Sequence, residues 1–436
     1  MPAPDAVAPR ANVKVNPKES PSITGAMRRS ALHDELESFA RAESNRRVEL
    51  VRAADRLGAN ETQPANSDVM WIPYGPAEEA QCVEIAADIG AAAAEYAAIR
   101  RGVGVMDSSQ RGVIEVRGAH RIAFLQRMVT QDISKLVAGE ARESFWLNRK
   151  GRIEADMFLC ELSDCMRIDL DRFVANEVAA QLQAFVFDED VAIRDASDDY
   201  ARLSLHGPAT LRMLTELGMI AQELHGNLRV VAGVIAGHEA WCARRDQTGE
   251  IGVEVWCAPS HVSAIWKSMI DHGSRGDIVV RPSGWSAYNA ARIEGGTPLF
   301  LVDFGKANLP HESGVLARRV SFKKGCYLGQ EVVARMESLG KPKQMLRALR
   351  LQGQALAVSG AQIFAPSADG AGSFGECVGA LTSSTPSPML GAAGVAFGMI
   401  KSAAAGAGAQ VVIAAEGELT RATIQETLAF LPESKA

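Results

Sequence analysis

The spacing of apolar and polar positions divides the chain into three textures. Residues 29–57 set Leu32, Leu36, Phe39, Val48, Leu50 and Val51 on an imperfect helical stripe among charges. That spacing predicts an amphipathic helix packing outside the main core. The polar run 61–68, interrupted by Pro64, reads as a linker. From Met70, strand-like and helix-like segments alternate. A helix through 95–101 stops at Gly102, the run 103–109 leads into a strand at 112–117, and 119–129 returns to helical spacing. Strands at 144–147, 155–162 and 165–170 precede a helix at 176–187.

A second round of similar order follows. It has a strand at 202–206, a helix opened by Pro208, a hairpin from 228–236 and 239–244, a strand at 252–256 and a helix at 260–271. The two rounds predict a loose strand-helix-strand-strand-helix duplication in an α+β layer. No nucleotide-binding glycine fingerprint follows a strand, so a doubly wound sheet is not expected. A further helix is predicted at 285–294. Beyond Pro342 short apolar runs at 346–351, 361–364, 377–381, 395–399 and 410–414 are spaced by Gly, Ser and Pro, which predicts a small antiparallel barrel or sandwich.

A length of 436 residues exceeds what one core organises. The expected division is 1–68 (disordered tail, charged helix and linker), 69–200 and 201–342 (two halves of one body), and 343–436 (the barrel). A net charge of -6 argues against nucleic-acid binding by bulk positive charge and leaves room for a local anion pocket. The cysteines (Cys82, Cys160, Cys165, Cys242, Cys257, Cys326 and Cys377) are odd in number and form no C-x-x-C pair. Neither a disulfide framework nor a metal site is expected, and a reducing cytoplasm fits. The first ten residues lack the apolar core of a signal peptide. Lys401, Ser402 and Gln410 interrupt the small-residue region 391–415, so no membrane span is expected there.

Candidate chemistry is densest in Lys323-Lys324-Gly325-Cys326-Tyr327-Leu328-Gly329-Gln330-Glu331, continuing to Arg335. If a helix opens over 328–335, its dipole adds to the two lysines in favouring a Cys326 thiolate, able to bind iron transiently, attack a disulfide or accept oxidation. The alternative is a small buried hydrophobe. His206 and His311 are acid/base candidates by residue type, His206 reading as a strand-end hydrogen-bonder. No P-loop, H-E-x-x-H or His/Asp/Ser constellation is present.

The run Lys324 to Glu331, with Leu309-Pro310-His311-Glu312 before it and Ala334-Arg335 and Leu339-Gly340 after it, resembles the YgfZ family of folate-binding proteins, implicated in iron-sulfur cluster assembly or maintenance. From about Met70 the chain resembles the glycine-cleavage T-protein (GcvT) superfamily of tetrahydrofolate-dependent aminomethyltransferases. The matching positions are 95–109, Val116-Arg117-Gly118 with Phe124-Leu125-Gln126, Leu147-Asn148 with Gly151 and Asp156, 248–254, Arg292-Ile293-Glu294-Gly295 and 379–391. The resemblance implies two interlocked ferredoxin-like domains around a folate channel, a C-terminal β-barrel, and tetrahydrofolate or a derivative as cofactor.

It also implies site residues. Glu254 would accept from the pterin edge or be an exposed strand carboxylate, Arg292 would grip the anionic glutamate tail or serve a structural ion pair, Tyr288, one turn earlier on the same helix, would line the channel or merely pack, and Asn148 and Asp156 would contact folate. Where the T-protein pattern has two adjacent aspartates, this chain has Ala155-Asp156, so one carboxylate for acid/base work is missing. The expected function is therefore a folate-binding accessory protein for iron-sulfur proteins or their assembly factors, with Cys326 as its reactive thiol. The alternatives are a one-carbon transferase, with Asp156 catalytic, and a binding module that keeps only the fold.

Overall fold

The computed structural model describes residues 27–55, 69–75, 82–353, 355–367, 374–415 and 417–432; the side chains of 48–55 are not described. The expected tail before residue 27 and the linker at 61–68 lie outside the described residues.

Two antiparallel layers form the body. One has the strand order Ala141–Leu147, Ile153–Glu161, Cys165–Asp171, Arg111–Arg117, Ala192–Asp195. The other runs Val230–Ile235, His238–Arg244, Gly252–Cys257, Ala201–His206, Val103–Asp107, Val280–Pro282, with only the last pair parallel. Each layer is drawn from a chain segment ordered strand, helix, three strands, helix, strand, so the duplication is more complete than the sequence pattern predicts. The strand Val103–Asp107 breaks the equivalence. It precedes the first round in the chain yet pairs inside the second sheet, beside Ala201–His206. The chain therefore passes from one sheet to the other across residues 108–110, and the two halves interlock.

Period-two alternation explains which faces meet. In the five-stranded sheet Ile114, Val116, Met157, Leu159, Ile168 and Leu170 join a core with the helices Arg121–Met128 and Arg172–Gln183. In the six-stranded sheet Leu203, Leu205, Val253 and Val255 pack against Ile265, Trp266 and Met269 of the helix Val262–Arg275. The opposite faces meet through Val113, Phe158, Cys160, Ala243 and Trp256. Both faces of the central strands are thus buried, and their polar positions have no solvent to turn to.

The first helix, His33–Asp55, departs from expectation. Leu36 and Ala40, with Leu32 just before the helix, lie in the same core as Trp266, so this element belongs to the body and not to its outside. The stripe at i, i+4 and i+8 suffices to bury it. The helix Trp285–Glu294 packs on Ala92–Arg101 through Ala287, Ala290 and Ala291 against Tyr96 and Ile99. Its last residue reaches the C-terminal unit, where the backbone N–H of Phe430 donates to the Glu294 carbonyl at 2.8 Å. That unit is a closed six-stranded barrel, Gln344–Leu351, Ala393–Lys401, Phe374–Ser387, Gln362–Pro366, Gln410–Ala415 and Glu418–Ile424. Its closing strand has no apolar run, being interrupted by Thr420, Arg421 and Thr423, and is not among the expected strands; Ala422 and Ile424 are buried in it.

Candidate functional site

Alternation along three strands places the site. Arg202, Ser204 and His206 take the positions between Leu203 and Leu205, Glu254 lies between Val253 and Val255, and Asp169 between Ile168 and Leu170. All face the space between the sheets. A buried carboxylate persists there only with partners, and guanidiniums supply them. Asp169 is paired with Arg111, Arg202 and Arg245. Glu143 accepts from Arg245 Nε at 3.1 Å and from Arg319. Arg319 also donates to both oxygens of Asp156, at 2.7 and 3.3 Å.

Glu254 stands apart in this network. Burial pushes Glu143 up, but the charges of Arg319, Arg245 and Arg318 override it and hold the group at about 2. Asp169 is likewise held below the ordinary carboxylate value against its burial by Arg111, Arg202 and Arg245. For Glu254 burial wins, helped by the nearby Asp169 charge, and its carboxyl is shifted up despite Arg202. It accepts from Ser204 Oγ at 3.0 Å and from Arg202 at 3.4 Å. Because the Ser204 hydroxyl donates there, it accepts at 2.8 Å from His206 Nε2–H. Burial and the charge of Arg100 push His206 down to about 3, so the imidazole is neutral at pH 7; its Nδ1 has no hydrogen-bond partner among the described residues.

A cavity of about 40 Å³ opens onto this network. It brings together three residues singled out from the sequence: Asp156, Glu254 and Tyr288. Tyr288 donates to Gln247 Oε1 at 3.3 Å, and burial pushes its phenol up to about 12. The chamber also has walls that the sequence did not announce, among them Tyr74, Gln110, Arg111, Arg245, Trp285 and Phe300.

Other expected site residues lie elsewhere. Arg292 is fully buried, donating to Asp303 at 2.7 Å and to the Thr297 carbonyl at 3.0 Å. Asp303 in turn accepts from Thr382 and Ser383, so this pair fastens the helix Trp285–Glu294 to the barrel. It is the structural ion pair and not a chamber wall. Asn148 shapes a turn: its Oδ1 accepts from the N–H of Lys150 at 2.9 Å and of Arg152 at 3.1 Å, and its amide donates to Glu154. His311 pairs with Glu337 at 3.2 Å.

The dense motif is also outside the chamber lining. Lys324 Nζ donates to the carbonyls of Gln126, Val129 and Gln131 at 2.6–2.9 Å, closing the end of the helix Arg121–Met128. Tyr327 is part of the apolar core under the five-stranded sheet. Gly329, with φ +80, precedes the helix Gln330–Leu339, and Gln330 forms its first turn. Cys326, Gly325, Glu331 and Arg335 are exposed. The helix starts four positions after Cys326, later than the opening at 328 that the sequence suggested.

The chamber's donor set fits a pterin. Glu254 offers a carboxylate acceptor, Gln110 Oε1 is buried without a hydrogen-bond partner among the described residues, and Trp285, Tyr288 and Phe300 give flat apolar walls. About 40 Å³ holds a few waters, and a pterin ring would need lining side chains to swing aside. Among the described residues no cluster of His, Cys, Asp or Glu is arranged to hold a metal ion, and no helix is long and apolar enough to cross a membrane.

A duplicated pair of sheets enclosing a charged and aromatic chamber, with a barrel fastened to its helix, defines the architecture of a T-protein-like chain. The sequence carries that assignment: residues 76–324 match the GCVT N-terminal domain and residues 344–430 the glycine cleavage T-protein C-terminal barrel domain, and the chain belongs to this family. It is 27% identical over 331 residues to an aminomethyltransferase of Geobacillus kaustophilus, covering 76% of this chain and 88% of the relative. Against the aminomethyltransferase of Streptomyces coelicolor the identity is 29%, over 79% of this chain and 87% of the relative. The crystal structure of the glycine cleavage system aminomethyltransferase T from Bartonella henselae superposes with a TM-score of 0.73 at 20% identity, covering 84% of this chain and 95% of that one.

Proposed function

We propose that the chamber binds a reduced folate and that the protein is a tetrahydrofolate-dependent one-carbon transferase of the aminomethyltransferase type. The observation that carries this reading is the convergence of Asp156, Glu254 and Tyr288, far apart in the chain, on one buried chamber. The aminomethyltransferase names of the relatives support it. Bound tetrahydrofolate supplies the nitrogen atoms that carry the one-carbon unit. Glu254, oriented by Ser204 and Arg202, accepts hydrogen bonds from the pterin edge. The rings of Tyr288 and Trp285 exclude water from its faces. Asp156 has two of roughly four lone-pair sites taken by Arg319 and keeps the others for a ligand N–H.

Calorimetry with tetrahydrofolate tests the binding half. Wild type binds one equivalent, and Glu254→Gln weakens it about tenfold or more. Asp156→Asn keeps binding and loses tetrahydrofolate-dependent turnover of an aminomethyl donor. No heat of folate binding to the wild-type chain would sink the reading.

One observation favours a second reading, a folate-binding accessory for iron-sulfur cluster assembly of the YgfZ type. Cys326 is exposed on the motif loop, while five of the other cysteines are buried. In a deletion strain Cys326→Ala then keeps folate binding but fails to restore iron-sulfur enzyme activity. Full rescue by that variant removes the thiol from the function.

A further inference from the structure

A second cavity, of about 130 Å³, lies behind the chamber. The chamber is lined by Met106, Ser108 and Gln110, the second cavity by Asp107 and Ser109, and Arg111 stands in both walls. The two hollows therefore sit on opposite sides of the crossing between the sheets.

The walls of the second cavity carry five guanidiniums, Arg28, Arg29, Arg111, Arg172 and Arg202. Two carboxylates, Asp107 and Asp198, face them. Arg111 and Arg202 are engaged by Asp169 from the network side. Arg28 and Arg172 converge on a single oxygen, Oδ1 of Asp198, whose side chain is 73% exposed. Arg29 makes no hydrogen bond or ion pair among the described residues. Arg202 is 3% exposed, and its Nε has no hydrogen-bond partner among the described residues. The field inside is positive enough to act on its own walls: burial and then the charge of Arg28 push Arg172 below its ordinary value.

Two of these cations come from outside the family-matched region, which begins at residue 76. Their backbone is fixed nonetheless. The N–H of Arg28 donates to the Cys82 carbonyl at 3.0 Å, its carbonyl accepts from Glu84 N–H at 3.1 Å, and Leu32 is buried in the core just beyond. The segment before the first helix is thus built into the body as one wall of a cationic cavity.

We propose that this cavity binds the carboxylate or phosphate group of a small ligand, with Arg29 and Arg172 as its free or under-compensated donors and Arg111 as the link to the chamber. Guanidinium forks match either oxyanion bidentately, and a dianion would offset the surplus shared on Asp198. The shared chemistry has two sources. It is either the anionic tail of the folate proposed for the chamber, which rests on that reading, or a separate small anion, which does not.

Calorimetry on the full chain with glutarate and with inorganic phosphate tests the site, using wild type, Arg29→Gln and Arg172→Gln. Arg29 is exposed, so its variant keeps the fold even if the half-buried Arg172 variant does not. The expected result is one equivalent of anion bound by wild type and affinity lower by about tenfold or more in each folded variant. No binding of either anion to wild type, or wild-type affinity in Arg29→Gln, overturns the proposal. Monoglutamyl and triglutamyl tetrahydrofolate separate the sources. Tighter binding of the triglutamyl form that vanishes in Arg29→Gln assigns the folate tail. Equal affinities for both forms, with free anion still bound, assign a separate small molecule. If no folate binds while the anions do, the folate reading fails and this site stands.

Discussion

The interior between the sheets and the motif loop at 323–335 both gather reactive side chains, by opposite means. In the interior, the groups come from strands far apart in sequence, are buried, and are held by one another: Asp156 and Glu143 by Arg319, Asp169 by Arg111, Arg202 and Arg245. In the loop, the groups are neighbours in sequence, yet Lys324 and Tyr327 are spent on tying the loop down and Cys326 is left at the surface. Density in sequence therefore marks a local folding device carrying one displayed thiol. The chamber, where a ligand can be enclosed, is assembled by topology.

Removing a charge from the interior gives the largest expected effect. Arg319→Met leaves Asp156 without its ion-pair partner and Glu143 with Arg245 at 3.1 Å and Arg318 at 4.0 Å. Breaking a buried pair from one side costs about 3 to 5 kcal/mol. Urea denaturation should register that loss. A change under about 1 kcal/mol would mean that water or another side chain takes the place of the guanidinium, and the interlocked description would fail.

The next effect is a pH dependence that only the interior should show. Glu143 is held at about 2 in the folded chain, against an ordinary 4.5, so between those values the unfolded chain binds the extra proton. Stability from this group is complete above 4.5 and is lost as pH falls toward 2, by an amount on the order of 3 kcal/mol. His206, held at about 3 against 6.5, begins the decline earlier, because the unfolded chain takes up a proton that the buried imidazole refuses. Glu143→Gln should be less stable at pH 7 and should make the fall of the urea midpoint below pH 4.5 shallower, with the His206 part persisting to about 3, while keeping the decline above 4.5. An unchanged slope below 4.5 would assign the acid limb to other groups.

Legibility in the sequence follows the same division. The helix at 285–294 was readable because small and apolar residues recur at helical spacing between Gly284 and Gly295, and it is found at Trp285–Glu294. Barrel strands with apolar runs are readable, whereas Glu418–Ile424 is hidden because Glu418, Thr420, Arg421 and Thr423 break up its apolar positions. The arginines buried between the sheets carry no sequence signal, for a physical reason. In Arg202-Leu203-Ser204-Leu205-His206 and Arg167-Ile168-Asp169-Leu170-Asp171 the polar positions alternate as they do on a solvated sheet face. Nothing local says that a second sheet covers that face. The available signal was the duplication itself: two sheets of the same order, each with one apolar face under helices, leave two polar faces to meet. Asp156 and Glu254 are singled out by family resemblance and Tyr288 by its place one turn before Arg292 on the same helix; no local spacing shows that the three line one cavity. For Arg292 the resemblance leaves a ligand grip and a structural ion pair open, because spacing does not reveal Asp303 beside it.

Inside the motif, its two glycines separate anchoring from display with the smallest effects of the series. Gly329 has φ +80, and a Cβ there would stand 2.5 Å from the Asn148 carbonyl oxygen. Gly329→Ala must strain the backbone and push the 148–152 turn away from the start of the helix Gln330–Leu339, a loss of about 1 to 3 kcal/mol. Gly325, one residue before the thiol, has φ outside the left-handed region and nothing within 4 Å of the position of a Cβ. Gly325→Ala should therefore stay within about 0.5 kcal/mol of wild type. The two variants also differ in thiol titration of the native protein. Wild type and Gly325→Ala should each label Cys326 and Cys377, the exposed cysteines, at equal rates. Gly329→Ala should speed labelling at Cys326 alone, as the loop loses its fixed end. Equal stability losses at both glycines would show that the whole loop is packed structure, and the thiol would then lose its claim to be displayed.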